Sequence, residues 1–465
     1  MSTAAARLAA FTSALEIDQI PAEVVDAAKL HLLDTLGCGL AAHALDVAPD
    51  AREAMLEPGT AGPATVIGVK SGLPSADAAL ANGVICHALD FDDTHTGAIA
   101  HVSVAVVPAA LAAAQAAGAS GADTIAAIVA GNEVVTRLGM AAGSLFHARG
   151  FHPTGVLGVY GATAAAARLR GLDAETTTQA LGIAGSMASG ILEHLADGSS
   201  TKRLHPGFAA HNGIVAARLA AHGSTGPSTV IEGRFGLYNA FLGRDDLPID
   251  EQLADLGERW ETPRIAFKPY PACHYVHASL DATREVIADT PLKPDEIAEI
   301  VAITTEAGVS LVLEPLEAKH RPRTEYDAKF SLPYSVAALL TRGDVDVTTY
   351  IGDAIGEERV LDLAGRVRYE VKEYDTFPQA LPGGIRITTT DGRVLEAELD
   401  YQRGGPENPM SAGDVGAKFR TNAELALSGS DVDGLEEAVL GLERLGSLDA
   451  LKALGRARAQ QGAVA

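Results

Sequence analysis

The chain has 465 residues, of which 36 are Lys or Arg and 60 are Asp or Glu, so its formal net charge at pH 7 is −24. Hydrophobic residues make up 47% of the chain and charged residues 21%, which excludes a disordered protein and predicts about two or three folded domains. The acidic balance excludes a general nucleic-acid binder, which needs Lys and Arg to neutralise phosphates. It also predicts weak attraction to anionic membranes, and an anionic substrate would need a locally basic pocket.

The cysteine content and the apolar stretches allow a prediction of the cellular compartment of the protein. Three cysteines, Cys38, Cys86 and Cys273, are too few for a disulfide framework and suit a reducing compartment. Residues 1–16 lack the basic segment and apolar run of a secretion signal. The uncharged stretch Val102–Ala122 is interrupted by a proline and two glycines, so it predicts a buried helix pair with a glycine turn rather than a membrane span. We therefore expect a cytoplasmic protein without a membrane partner.

Residues 1–264 are predicted to form an all-helical domain. Ala-rich segments with helical periodicity alternate here with Gly, Pro and Asp. The first long helix is expected to begin at Pro21, because helices accept proline in their first turn. The abundance of Ala and Gly predicts close packing between helices. The further predicted helices cover residues 74–88, 104–117, 122–140, 154–170, 174–188 and 206–222.

Beyond Trp260 the pattern becomes that of an α+β domain, which we place at residues 265–404. The pair Asp391-Gly392 between two alternating segments indicates a β-hairpin. Residues 405–460 become polar and then helical, and we expect them to complete the helical domain. The fold class predicted is therefore mainly α, with a large all-helical domain and a smaller α+β domain. The predicted strands are Ile297–Thr305, Val367–Val371, Gly384–Thr390 and Val394–Tyr401, and the predicted helices among them cover 274–288 and 325–341.

The densest polar cluster lies between two apolar helical segments. Clustered carboxylates can bind Mg²⁺ or Ca²⁺, and carboxylates beside imidazoles can act as general acids and bases. A third interpretation is a helix cap with solvated charges, and the spacing alone leaves all three open. The members of the cluster are His87, Asp90, Asp92, Asp93, His95 and His101.

A histidine precedes another helix rich in Ala and Gly. His152 stands directly before Pro153 and Thr154, which suit a helix start, so its ring would lie at the positive end of the helix dipole. That position favours anions and a neutral imidazole. The glycines that follow do not form the dinucleotide fingerprint, and no strand precedes them, which excludes a Rossmann site. His152 is therefore a candidate catalytic residue, with a capping or core role as the alternative.

Three cationic or titratable side chains follow a flexible Gly/Ser stretch. Lys202, Arg203 and His205 are exceptions in a strongly acidic chain, so they are candidates for binding an anion. The alternative is a solvated loop with ordinary positive charges.

A further cluster lies at the entrance to the α+β domain. Two prolines fix the backbone around Tyr270, which could hold Lys268 rigidly. Cys273 and His277 are four residues apart on one helical face, a spacing that permits a zinc site. No further ligands follow nearby to complete such a site.

Together these segments resemble the MmgE/PrpD family, which includes 2-methylcitrate dehydratases, cis-aconitate decarboxylases and iminodisuccinate epimerases. The matching pieces occur in the family's order and span nearly the whole chain. They are residues 82–95, 150–155, 202–210, 226–233, 268–273 with His277, and 327–334.

The resemblance implies a large helical domain joined to an α+β lid domain, a homodimer, and catalysis without a metal or an organic cofactor. Where the decarboxylase branch has a histidine, this chain has Cys273 followed by His274. Residues 93–101 also lack the Trp-containing insertion expected of a 2-methylcitrate dehydratase, so the resemblance leaves the reaction open. The site residues of the decarboxylase branch correspond to Asp90, Thr94, His101, His152, Lys202 and Lys268 of this chain.

We expect a lyase that acts on a small di- or tricarboxylate, with dehydration of a 2-methylcitrate-like hydroxy acid as the first hypothesis. The alternatives are decarboxylation of a cis-aconitate-like acid, epimerisation of an iminodisuccinate-like amino dicarboxylate, a non-catalytic dimer that binds organic acids, and a metal-dependent enzyme that uses the acidic cluster. Each reaction develops negative charge beside a carboxylate, which cations and hydrogen-bond donors must stabilise.

In the first hypothesis an aspartate positions the histidine that exchanges the proton, a second histidine acts toward the leaving group, and two lysines hold substrate carboxylates. The predicted catalytic residues are Asp90, His101, His152, Lys202 and Lys268. The predicted substrate-binding residues are Thr94, His95, Arg203, Cys273 and His274.

Overall fold

The computed structural model describes residues 2–460, and these residues are mostly helical with a small mixed sheet. The prediction of a mainly α chain is confirmed. Contacts between Cα atoms divide the described chain into two compact units. The first unit contains residues 2–267 and 411–460, and the second contains residues 268–410.

The first unit is built of helices whose small residues allow close approach. A Cβ atom added to Gly83 would lie only 2.8 Å from the Cα of Gly207, so the fourth and eleventh helices can meet as they do only with glycine at this crossing. The helices of this unit are α1 (Ala4–Ala14), α2 (Ala22–Ala44), α3 (Asp50–Leu56), α4 (Ser75–His87), α5 (Ser103–Ala117), α6 (Gly121–Ala142), α7 (Leu145–Ala148), α8 (Pro153–Leu169), α9 (Ala174–Gly185), α10 (His194–Asp197), α11 (Thr201–Ala221), α12 (Leu237–Leu242) and α13 (Ile249–Leu253).

The prediction of an all-helical region is wrong at one place, where the chain forms an antiparallel hairpin. Strands β1 (Ala64–Val66) and β2 (Val69–Leu73) pair around a turn that contains Gly68 with φ of 76°. The β-branched residues before the turn favour extended backbone, and glycine supplies the positive φ at no steric cost. The Ala-rich surroundings concealed this short signal in the sequence.

The uncharged stretch Val102–Ala122 forms the buried helix α5, a glycine turn and only the first two residues of α6, so the predicted helix pair extends beyond the stretch. Helix α5 is followed by the capping residue Gly118, which has a left-handed φ of 64°, and α6 begins three residues after this glycine. Among residues 2–460, α6 is the helix long and apolar enough to cross a membrane by length and composition alone. Almost all of its apolar window is buried within the protein, which is the packing expected of a core helix.

The second unit carries a four-stranded sheet in the order β4-β3-β5-β6. Strand β3 pairs in parallel with β4 and antiparallel with β5, and β5 pairs antiparallel with β6 across the predicted Asp391-Gly392 turn. Every predicted strand is present, with ends that differ by at most two residues. The strands are β3 (Ile297–Thr304), β4 (Val367–Val371), β5 (Gly383–Thr389) and β6 (Val394–Leu399), and the helices are α14 (His277–Asp289), α15 (Glu306–Gly308), α16 (Leu316–His320), α17 (Glu325–Lys329), α18 (Leu332–Arg342) and α19 (Glu358–Ala364).

The chain after the sheet returns to the first unit. It forms α20 (Ala412–Ala423) and α21 (Gly429–Leu440), and both helices pack against α2. Helix α20 begins with a capping box between Ser411 and Asp414, which satisfies backbone amides that the helix start would otherwise leave unpaired. This return places a buried lysine of α20 beneath the polar loop between α4 and α5.

Candidate active site

The loop between α4 and α5 carries the predicted acidic cluster, and contacts from α20 and from the start of α5 hold it in place. Asp90 adopts a positive φ of 53°, a conformation that a non-glycine residue rarely adopts. Lys418 of α20 donates to the carbonyl oxygen of Phe91 at 2.8 Å and pairs with Asp34 at 2.7 Å. Asp93 receives the backbone amide of Ser103 at 3.1 Å, at the start of α5. The loop is therefore held at Phe91 and at Asp93.

Asp92 lies at the centre of the cluster and holds two imidazoles. Its carboxylate is fully buried and contacts Nδ1 of His87 at 3.0 Å and Nδ1 of His101 at 2.8 Å. Burial alone would raise the pKa of Asp92, but the two histidines outweigh it and hold that pKa below its usual range. An ionised carboxylate only accepts hydrogen bonds, so both Nδ1 atoms carry hydrogen.

His87 is therefore a neutral imidazole with a defined tautomer. Burial lowers its pKa to about 4, although Asp92 opposes this change. Since its hydrogen is on Nδ1, its Nε2 atom carries a lone pair. Nε2 is buried and has no hydrogen-bond partner among residues 2–460.

A lysine and a histidine both approach the carboxylate of Asp90. Nζ of Lys202, in the first turn of α11, lies 3.0 Å from Oδ1 of Asp90, and Nε2 of His101 lies 3.6 Å from the same oxygen. The Thr94 hydroxyl lies 3.4 Å from Nδ1 of His101. The side chain of Lys202 is about 13% exposed. Arg203 follows it in α11 and is half-buried.

Two further histidines contact each other instead of a carboxylate. Nδ1 of His152, just before α8, lies 2.9 Å from Nδ1 of His205 in α11. Burial, reinforced by the nearby positive charge of Lys202, lowers the pKa of His152 well below its usual value. Burial also lowers the pKa of His205 to about 4. Both rings are thus neutral near pH 7, and one donates its Nδ1 hydrogen to the other.

The rings of this group form one cluster. The ring centroid of His87 lies 4.7 Å from that of His101 and 6.0 Å from that of His152. The structure therefore brings together four predicted catalytic residues of the first unit and the predicted substrate-binding threonine. These are Asp90, His101, His152, Lys202 and Thr94.

His95 has a different set of partners. Its Nε2 lies 3.2 Å from Oε2 of Glu261, and its Nδ1 accepts the backbone amide of Ala98 at 3.0 Å. Glu261 also pairs with Arg259 and Arg264. These contacts fasten two loops of the first unit, and they give His95 no contact with Asp90 or Asp92.

The remaining predicted residues belong to the second unit. Lys268, Cys273 and His274 are all buried there, just before α14. The Cys273 amide donates to the carbonyl oxygen of Lys329 at 2.9 Å. The rings of His274 and His277 lie 4.7 Å apart. Their roles toward a substrate stay predictions.

Three residues of the cluster are not among the predicted catalytic or substrate-binding residues. The sequence places His87 and Asp92 in the polar cluster and makes His205 a candidate for binding an anion beside Lys202, but the spacing gives no reason to rank them above their neighbours. The signal for the first two is their separation of five residues across a helix end, which lets the imidazole reach back to the carboxylate. His205 lies one helical turn after Lys202 in α11, so both face the same neighbours.

Two overlapping sets of residues have ligand atoms close enough to share a metal ion, all within 4.8 Å of one another. Within residues 2–460, Cys273 and His277 belong to no such set. One set is His87, His101 and His152, and the other is His87, Asp90, Asp92 and His101.

Comparison with known proteins gives a match over most of the chain. The family model of the MmgE/PrpD N-terminal domain matches residues 6–250, and that of the MmgE/PrpD C-terminal domain matches residues 270–444. The two matches together contain every residue of the cluster and also Cys273 and His274 of the second unit, whereas Lys268 lies between them.

Curated relatives are similar over nearly their whole length. A cis-aconitate decarboxylase of Homo sapiens is 32% identical over 454 residues, which cover 95% of this chain and 92% of the relative. A cis-aconitate decarboxylase of Mus musculus is 30% identical, with coverage of 93% and 89%. One of Aspergillus terreus is 28% identical, with coverage of 95% and 93%.

Proposed function

Because this chain belongs to the MmgE/PrpD family, we propose that it is a decarboxylase that removes carbon dioxide from an unsaturated tricarboxylate of the cis-aconitate type. The coarser statement, a lyase that acts on organic acids, has the support of both the family and its relatives. The reaction itself is the part that we propose.

The observation that carries the proposal is the meeting of Lys202 and His101 at one oxygen of Asp90. An ammonium at 3.0 Å and an imidazole at 3.6 Å share this carboxylate. A substrate carboxylate can take the place of Asp90 as the partner of Lys202, which puts the substrate carbon next to the imidazole. In a chain of net charge −24, Lys202 supplies the local cation that a polyanionic substrate needs.

In the reaction, the bond between a carboxylate carbon and its neighbour breaks, and carbon dioxide leaves without the bonding electron pair. That pair stays on the substrate carbon and is delocalised over the adjacent double bond and carboxylate. Lys202 stabilises the developing charge, and His101 gives a proton to the carbon. Asp92 accepts the Nδ1 hydrogen of His101 throughout, and the ring recovers its proton from water.

Dehydration of a hydroxy acid such as 2-methylcitrate is the second candidate. The neutral pair of His152 and His205 favours it, because removal of water requires a base for the carbon-bound hydrogen as well as an acid for the leaving hydroxyl. A neutral histidine beside a charged site can serve as that base. The same residues thus suit either reaction, and product analysis must decide.

The experiment is a mass-spectrometric screen of the purified chain in D₂O with cis-aconitate, citrate, 2-methylcitrate and iminodisuccinate as separate substrates. Loss of carbon dioxide with uptake of one deuterium from cis-aconitate supports the proposal. Loss of water from a hydroxy acid supports the second candidate instead. Deuterium uptake without loss of mass would identify an epimerase, and no change in any substrate would contradict an enzymatic role toward these acids.

The role of the lysine is tested by Lys202→Met with Lys202→Arg beside it. Removal of the ammonium should lower kcat/KM by about a hundredfold, whereas the arginine variant keeps the charge and should recover part of the loss. Turnover in Lys202→Met that equals the wild type would contradict the proposed binding of the substrate carboxylate.

A further inference from the structure

We propose that His87, His101 and His152 form a zinc-binding site of the helical unit, in which Asp92 acts as the outer partner of two of the imidazoles. The structure brings ligand atoms of these three residues to within 4.8 Å of one another. Zn²⁺ is commonly bound by three imidazole nitrogens with a fourth position left for water or another small ligand.

The ring nitrogens are distributed as such a site requires. Asp92 contacts Nδ1 of both His87 and His101, and His205 contacts Nδ1 of His152. In each of the three rings Nε2 is therefore the remaining nitrogen. Metal-bound histidines ordinarily donate their other ring hydrogen to a carboxylate or another acceptor, and this contact fixes the tautomer.

His87 supplies an observation that points to a ligand. Its side chain is fully buried, and its Nε2 atom has no hydrogen-bond partner among the described residues. A buried polar atom without a partner costs free energy unless something satisfies it. Because the Nδ1 hydrogen is held by Asp92, this Nε2 presents a lone pair, which is what a metal ion requires.

The dimensions of the cluster agree with a small cation. A tetrahedral zinc ion about 2.0–2.1 Å from each nitrogen places the nitrogens roughly 3.4 Å apart, which lies within the 4.8 Å limit observed here. The ring centroids of His101 and His152 are 6.2 Å apart. The carboxylate of Asp92 lies against His101, and the carboxylate of Asp90 pairs with the ammonium of Lys202.

The nitrogen ligands predict selectivity for zinc over magnesium, which prefers oxygen ligands. An ion in this position would occupy the Nε2 atom of His101, so zinc would inhibit the reaction. That consequence rests on the proposed function, whereas binding of the ion does not.

Binding is measured by equilibrium dialysis of the chelator-treated full chain against ZnCl₂, and against MgCl₂ as the control ion. We expect one tight zinc ion per chain that is lost or weakened at least about tenfold in His87→Gln and in His152→Gln. The matched control is His222→Gln, which removes an exposed histidine and should leave zinc binding unchanged. Equal zinc affinity in the wild type and both cluster variants would overturn the proposal.

X-ray absorption of the zinc-loaded wild type gives a second test that needs no variant. The proposal predicts three imidazole nitrogens at about 2.0–2.1 Å. A first shell without imidazole scattering, or the absence of tight zinc binding, would overturn it. Neither measurement uses a substrate, so failure of the zinc site and failure of the proposed reaction are separate results.

Discussion

Two pairs of buried histidines lie side by side in the helical unit and differ in what holds their Nδ1 atoms. His87 and His101 share the carboxylate of Asp92. His152 and His205 hold each other, with Nδ1 atoms 2.9 Å apart. The first pair therefore has a fixed negative partner, and the second has a neutral one.

The difference shows how one buried cluster can offer two kinds of imidazole. A carboxylate fixes the tautomer of a histidine and stabilises the positive charge that arises when the ring takes up a proton. The pair without a carboxylate lies in buried surroundings near Lys202, which keeps both rings neutral. Proton delivery is thus assigned to His101 of the pair held by Asp92, and neutral hydrogen bonding or base chemistry to the other pair.

The largest effect is expected from removal of the proton donor in the first pair. His101→Gln keeps a side chain that can hydrogen-bond to Asp92 but cannot exchange a proton, so kcat should fall by about 10²–10⁴-fold. Steady-state turnover of the substrate identified in the screen is the measurement. The control is His222→Gln on the exposed end of α11, which should turn over like the wild type. A loss below threefold in His101→Gln would refute its role as donor.

The next largest effect is expected from removal of Lys418, which holds the loop that carries Asp92. Lys418→Met removes a buried cation and leaves Asp34 without its partner, at a typical cost of about 3–5 kcal/mol. The lower end is expected, because burial already raises the pKa of Asp34 to about 6 and a proton can replace the lost charge. Urea unfolding at pH 8 measures the free energy of unfolding.

Its matched control is Lys452→Met, because this lysine is exposed and pairs only at the surface with Asp449. That change should cost less than about 1 kcal/mol. Equal stability losses in the two lysine variants would show that Lys418 does not support the loop.

The smallest effect is expected in the pH dependence of stability, to which His205 of the second histidine pair contributes. The folded-state pKa of His205 is about 4, below the ordinary value of 6.5, so the unfolded chain binds a proton there that the folded chain does not. Its contribution to stability is full above about pH 6.5 and is lost as the pH falls toward 4. The free energy of unfolding of His205→Gln should therefore fall by about 1 kcal/mol less than that of the wild type when the pH is lowered from 7 to 5.

Denaturant unfolding of both proteins at the two pH values measures this difference, with His222→Gln as the control. An identical pH dependence in His205→Gln and the wild type would mean that His205 is not held neutral by the fold.

Local patterns in the sequence were enough to predict most of the fold. Helical periodicity gave the helices, and alternation around Asp391-Gly392 gave the hairpin of β5 and β6. The hairpin of β1 and β2 was missed, because two strands of three and five residues leave too little pattern inside Ala-rich sequence. The order of the strands in the sheet could not be predicted from local sequence patterns, because β3 pairs with β4 and β5, which are distant from it in the sequence.

The site was predictable where chemistry lies in one short segment. Asp90 and His101 were predicted from the polar cluster and the family resemblance, and the structure joins them to Lys202. Asp92 could not be ranked above its neighbours, because only the folded loop shows which carboxylate receives the imidazoles. Lys418 had no local signal at all, since it contacts Phe91 across 327 residues of sequence.

The central claim, that an ionised Asp92 fixes one pair of histidines while the other pair is neutral and self-paired, is tested most directly by side-chain ¹⁵N NMR of the histidines near pH 7. The account predicts that His87 is neutral with its hydrogen on Nδ1 and an unprotonated Nε2, and that Asp92→Asn disturbs this state. It also predicts that His152 and His205 are neutral in both proteins. A hydrogen on Nε2 of His87 with a bare Nδ1, or a positively charged His152, would contradict it.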